Sequence, residues 1–137
     1  MIVAETYLST LRFGSLGTND LLQYTVAVDR GNRVLARYQE SLHPALLRLI
    51  RMAVEASAAA GTELSVCGEM AGDPAAAVAL VALGVRKLSM AASSLAGVRR
   101  AIRSVDAATL ERVRGIALTS RTADEIRSGI EALLTGA

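Results

Sequence analysis

The sequence has no tryptophan, one phenylalanine and three tyrosines among 137 residues. Binding modes that stack ligands on a platform of rings are therefore disfavoured, because such a platform needs several aromatic side chains together. Cysteine is scarcer still. With Cys67 alone no intramolecular disulfide forms, in keeping with a reducing compartment. Long apolar runs are also missing: the longest, residues 75–85, has 11 residues and is interrupted by Gly84. That is well short of the ~20 needed to cross a bilayer, so no membrane span is expected. The amino-terminal MIVAETYLST has no basic segment ahead of an apolar run, and Glu5 interrupts it early. It does not read as a secretory signal, and a cytoplasmic location is expected.

A strong excess of either charge is lacking too. The net charge is +2, and of the 15 basic residues all but Lys87 are arginine. The pI near 9.1 looks basic, yet most arginines alternate with acids along helical patterns, as on a solvated surface. Arg99 and Arg103 share a helix face beside Arg100, but no interleaved aromatics and no DNA-binding motif accompany them. A nucleic-acid partner is not expected.

What is present is aliphatic. Apolar residues make up 52% of the chain, so the core must be built from Ala, Val, Leu, Ile and Met, and the length suits one domain over residues 1–137. Three short runs have strand character: Phe13 to Leu16, Leu64 to Cys67, and Lys87 to Met90. Each is followed by a polar or Gly-rich turn and then a helical pattern. The first helix is predicted to be short, Leu21 to Val28, with Asp29 to Leu42 irregular. The next begins at Pro44, carries Leu46, Leu47, Ile50 and Val54 on one face, and stops at Gly61. Asp73 and Pro74 open another, closed by Gly84. Ser94 is predicted to cap a helix through Ile102, Asp106 one through Leu118, and Thr122 with Glu125 has capping-box spacing.

Strands alternating with helices predict an α/β fold with a parallel sheet, apolar and covered on both faces. Three strands are few for such a sheet, so the chain reads as part of a larger one. In parallel sheets functional groups gather at the carboxyl ends of the strands. Those ends carry Gly17-Thr18-Asn19-Asp20, Cys67-Gly68-Glu69 and Ala91-Ala92-Ser93-Ser94, so Asn19, Asp20, Cys67 and Glu69 are expected on one rim. Each also has a plain structural alternative: Asn19 and Asp20 as a helix cap before Leu21, Cys67 as a small buried hydrophobe, and Glu69 as a solvated residue beside Gly68 and Gly72 in the turn; Arg30 likewise reads as a loop residue and His43 as a helix-start residue.

The literal residues favour function. The run Ser15-Leu16-Gly17-Thr18-Asn19-Asp20-Leu21, then Gln23-Tyr24-Thr25 and Ala27-Val28-Asp29-Arg30-Gly31-Asn32, resembles the carboxyl-terminal barrel of phosphoenolpyruvate (PEP)-utilising enzymes. Within that group it is most similar to the PEP-protein phosphotransferases, Enzyme I of the bacterial sugar phosphotransferase system. Pro44 to Ile50 (PALLRLI), Cys67 to Asp73 (CGEMAGD) and Leu83 to Met90, followed by the basic helix around Arg99 to Arg103, agree in order and spacing.

The resemblance implies a partial (β/α)8 TIM barrel, about the last three β/α units, with parallel strands and extra carboxyl-terminal helices. It implies that Asn19 hydrogen-bonds the PEP phosphate, that Arg30 clamps it, and that Asp20 contributes to substrate binding as a magnesium ligand. Cys67 corresponds to the proton donor that converts the enolate to pyruvate. A free thiol, with an ordinary pKa near 8.5, holds its proton at neutral pH and suits that role. The second metal carboxylate, two further phosphate-binding arginines and the phosphorylated histidine are expected upstream of this sequence, as is most of the docking surface for the phosphocarrier protein. PEP and pyruvate are the implied small-molecule partners, a homo-oligomer is expected, and a non-catalytic barrel remnant serving assembly is the alternative.

Overall fold

Each of the three strand-like runs forms a strand, and the strands lie side by side in sequence order, all parallel. The structure, a computed structural model, describes residues 4–29 and 31–136. A short helix α1 (Ala4–Leu8), which the sequence reading does not anticipate, precedes β1 (Phe13–Gly17) and α2 (Thr18–Val26). A 3-10 segment, Arg33–Tyr38, occupies part of the stretch expected to be irregular. Then come α3 (Pro44–Ala60), β2 (Glu63–Cys67), the single turn α4 (Glu69–Gly72), α5 (Pro74–Ala82) and β3 (Lys87–Ser89). A second 3-10 turn, Ala92–Ser94, leads into α6 (Leu95–Arg103), α7 (Ala107–Thr119) and α8 (Ala123–Thr135). Among the described residues no helix is long and apolar enough to cross a membrane.

Helix ends follow their capping chemistry. His43 precedes Pro44, and its Nδ1 accepts the Ala45 N–H at 3.2 Å. Gly61 closes α3 at φ +67°, where a residue with Cβ is strained. The Asp73 carboxylate accepts from Ala75 N and Ala76 N, and Asp106 accepts from Thr109 N. Thr122 and Glu125 satisfy each other's backbone as a capping box. Ser94 departs from expectation. It has helical rather than extended angles and makes no side-chain cap, because the preceding 3-10 turn runs directly into α6.

Helix α2 begins at Thr18, not Leu21, with Gly17 at the capping position and no side-chain cap. Asn19 and Asp20 therefore lie inside the first helical turn and do not form a cap before Leu21.

The core forms where the helices meet one face of the sheet. Leu46, Leu47 and Ile50 of α3, Val66 of β2, Ala76, Val78 and Leu80 of α5, and Val113, Ile126 and Ile130 of the last two helices are buried together, with Leu16 and Leu88 packed against them. Helix α5 is buried on nearly every side, which explains why its sequence is uniformly apolar rather than amphipathic.

The opposite face of the sheet corrects the expected pattern. It is not apolar and covered: residues 13, 15 and 17 of β1 alternate outward, each exposed, with Glu63, Ser65 and Cys67 of β2 and Lys87 and Ser89 of β3 alongside them. Glu63 and Lys87 pair across this face, and Phe13 stands 70% exposed at its amino-terminal end.

Candidate functional site

The carboxyl ends of the three strands meet in an open cleft of about 820 Å³. Register brings its principal residues together, since Gly17 pairs with Cys67 and Cys67 with Ser89. The Thr18 hydroxyl donates to the Cys67 carbonyl at 3.1 Å, fixing the start of α2 against the end of β2. Asn19, Cys67 and Glu69 all line the cleft, as the sequence predicts. The Asn19 side chain is half-buried and has no hydrogen-bond partner among the described residues, so its amide is available to a ligand.

Gly68 makes this approach sterically feasible. Its φ is +122°, and a Cβ there would stand 2.7 Å from Thr18 Oγ1 and 3.1 Å from Asn19 Oδ1. The glycine is thus required twice, by its backbone and by its neighbours. Gly72 plays a related part, because a Cβ on it would come within 2.9 Å of Ser94 Oγ.

Cys67 is half-buried. Its Sγ receives the Ser15 hydroxyl at 3.4 Å and faces the Leu16 carbonyl at 3.5 Å, to which the thiol donates. Asp20, one residue beyond Asn19, is exposed and lies outside the cleft lining. Arg30 lies outside the described residues. Among the described residues no three ligand-type side chains converge on a metal position.

Other lining residues escaped the sequence reading. Gln39, Glu40 and Ser41 come from the stretch expected to be irregular; Gln39 is pinned by donating to the Val28 carbonyl at 3.2 Å. No periodicity marks such a segment, and only its position between a rim helix and the next helix hints at it. Asp73 also lines the cleft, but its carboxylate is fully engaged. One oxygen caps α5 and the other accepts from Arg127 of α8 at 2.9 Å.

His43 is absent from the cleft lining. Partial burial lowers its pKa from 6.5, which favours the neutral ring that accepts the Ala45 N–H.

A family model described as the PEP-binding domain of PEP-utilising enzymes matches residues 1–107. The chain belongs to the PEP-utilising enzyme family. The PEP-protein phosphotransferase of Streptomyces coelicolor is 43% identical over 133 residues, 97% of this chain and 24% of that protein. A PEP-dependent phosphotransferase system protein of Escherichia coli K12 is 42% identical over 122 residues, and the PEP-protein phosphotransferase of Listeria monocytogenes is 37% identical over 130. The chain spans a quarter or less of the length of these relatives. This PEP-utilising family member thus carries the rim segment with Asn19 and Cys67, and helix α8 lies beyond the matched residues.

Proposed function

We propose that this chain is the carboxyl-terminal, PEP-binding segment of a PEP-protein phosphotransferase, with β1, β2 and β3 as about the last three strands of a (β/α)8 barrel. The observation that carries the reading is Asn19, just after β1, and Cys67, at the end of β2, lining one cleft, with no hydrogen-bond partner for the Asn19 amide among the described residues. The barrel is supported by the open face of the sheet, on which Ser15, Gly17, Ser65, Cys67 and Ser89 lie beside Phe13 and the Glu63–Lys87 pair. A parallel sheet ordinarily has both faces covered, and inside a closed barrel that face becomes the packed interior.

Phosphoryl loss from PEP spreads negative charge over the phosphate oxygens. The Asn19 amide and the Arg30 guanidinium would bind those oxygens, the guanidinium as a fixed fork. The Cys67 thiol would give its proton to the methylene carbon of the enolate, completing pyruvate. The phosphoryl group would pass through a histidine of the whole enzyme to a phosphocarrier protein. His43 does not suit that role, because its ring nitrogen caps α3.

Magnesium fits only in part. Asp20 supplies one carboxylate, and magnesium commonly combines one or two carboxylates with substrate oxygens and waters, but the described residues form no cluster that would hold it alone. When bound it would neutralise phosphate charge, with Asp20 as this chain's contribution. The chain by itself is then expected to bind substrate without completing turnover.

Calorimetric titration with PEP, with and without magnesium, tests the reading on wild type, Asn19→Ala and Arg30→Ala. Saturable binding lost in both variants supports it; binding undiminished in both overturns it.

A second reading is assembly. Phe13 and the outer edge of β1, to which no described strand pairs, are open, and such an edge invites a second chain. Light scattering at low micromolar concentration separates a homo-oligomer from a dispersed monomer.

A further inference from the structure

We propose that Ser15 is a positioning residue for the Cys67 thiol, holding Sγ at the rim and stabilising the thiolate that remains once the proton has been given up. The inference deepens the proton-donor reading above and rests on it for its functional meaning.

The geometry is specific. Ser15 and Cys67 lie on the same face of the sheet, on adjacent strands, yet they are not direct partners: Ser15 stands opposite Ser65, and Cys67 opposite Gly17. The Ser65 hydroxyl donates to the Gly14 carbonyl at 3.2 Å and so does not compete. The Ser15 hydroxyl instead reaches diagonally to Cys67 Sγ at 3.4 Å. Gly17, the direct neighbour, presents no side chain, and nothing lies within 4 Å of where its Cβ would be. Sulfur is thus approached from one side by Ser15 and left open on the side towards the cleft.

The chemistry gives this contact a direction. In the proton step the S–H bond breaks and a C–H bond forms at the enolate methylene from the enolate's electron pair, while sulfur keeps the S–H pair as thiolate. A hydroxyl donates weakly to a neutral thiol and much more strongly to a thiolate. Ser15 therefore contributes most after the proton has left, which is where stabilisation speeds the step. Water then returns a proton to sulfur from the cleft, which Cys67 lines.

Cys67 is the sole cysteine, so alkylation reports on one sulfur. The rate of iodoacetamide labelling of the purified chain is measured against pH for wild type, Ser15→Ala, Ser15→Thr and Ser15→Val. Thr and Val match in shape and differ by the hydroxyl. Loss of the hydroxyl is expected to move the midpoint of the profile to higher pH by roughly half a unit to one unit, slowing labelling at neutral pH about three- to tenfold. Thr restores the wild-type midpoint and Val does not. A role confined to packing or access changes the plateau rate and leaves the midpoint in place. Equal midpoints for the Thr and Val variants, both folded by circular dichroism, overturn the proposal. The proton-donor reading fails separately: with the upstream part supplied, Cys67→Ala enzyme that still forms pyruvate at the wild-type rate removes that reading and leaves the labelling result standing.

Discussion

The Thr18 hydroxyl donates to the Cys67 carbonyl at 3.1 Å across 49 positions of sequence. Through that bond the first turn of α2 is fixed to the end of β2, and Asn19 is carried to the rim with no side-chain hydrogen bond among the described residues.

Asn19→Ala should abolish or sharply weaken PEP binding while leaving stability within about 0.5 kcal/mol of wild type. The reason is that Gly17, not Asn19, holds the capping position of α2 and the amide has no described partner. Urea unfolding beside calorimetric titration checks both halves.

Gly68→Ala should cost roughly 1–3 kcal/mol, because a left-handed conformation is imposed on a residue with Cβ and that Cβ collides with Thr18 and Asn19. The urea midpoint should fall with an unchanged slope. A variant as stable as wild type would show that the rim rearranges freely.

Stability should decline on acidification below about pH 6.5. Burial lowers the His43 pKa from 6.5, so the unfolded chain takes up a proton first and folding loses stability as pH falls from the unfolded value towards the folded one. The cap gives a further reason, since a protonated Nδ1 cannot accept the Ala45 N–H. Chemical denaturation at pH 7.5 and 5.5 should show this loss, and His43→Asn, which keeps a capping acceptor without titrating, should flatten it.

Ile130→Ala should destabilise by about 2–5 kcal/mol, although residue 130 lies beyond the matched family region. Ile130 is fully buried in the same core as Val66 and Leu80. A thermal scan that finds no change would mean α8 is merely attached to the surface.

Much of this was legible in the residues. Pro44, Asp73-Pro74, Asp106 and the Thr122–Glu125 pair each announced a helix start, and each start is where they put it. Strand positions were legible to within one residue at each end. The covering of the sheet was not. Ser15, Ser65 and Cys67 are small and read as part of apolar runs, whereas they line the open face. The start of α2 was obscured because Asn and Asp are common caps, and nothing local shows that Thr18 is held by a carbonyl from another strand. The Ser15–Cys67 contact has no sequence signal, since it is diagonal between strands whose register only the folded chain reveals.

The Asp73 carboxylate lines the cleft on one side and grips Arg127 at 2.9 Å on the other. The last helix is consequently a handle on the rim. A ligand that shifts Asp73 must either break the grip or pull α8 along, and a spectroscopic probe on the outer surface of that helix tells the two apart without touching the cleft itself.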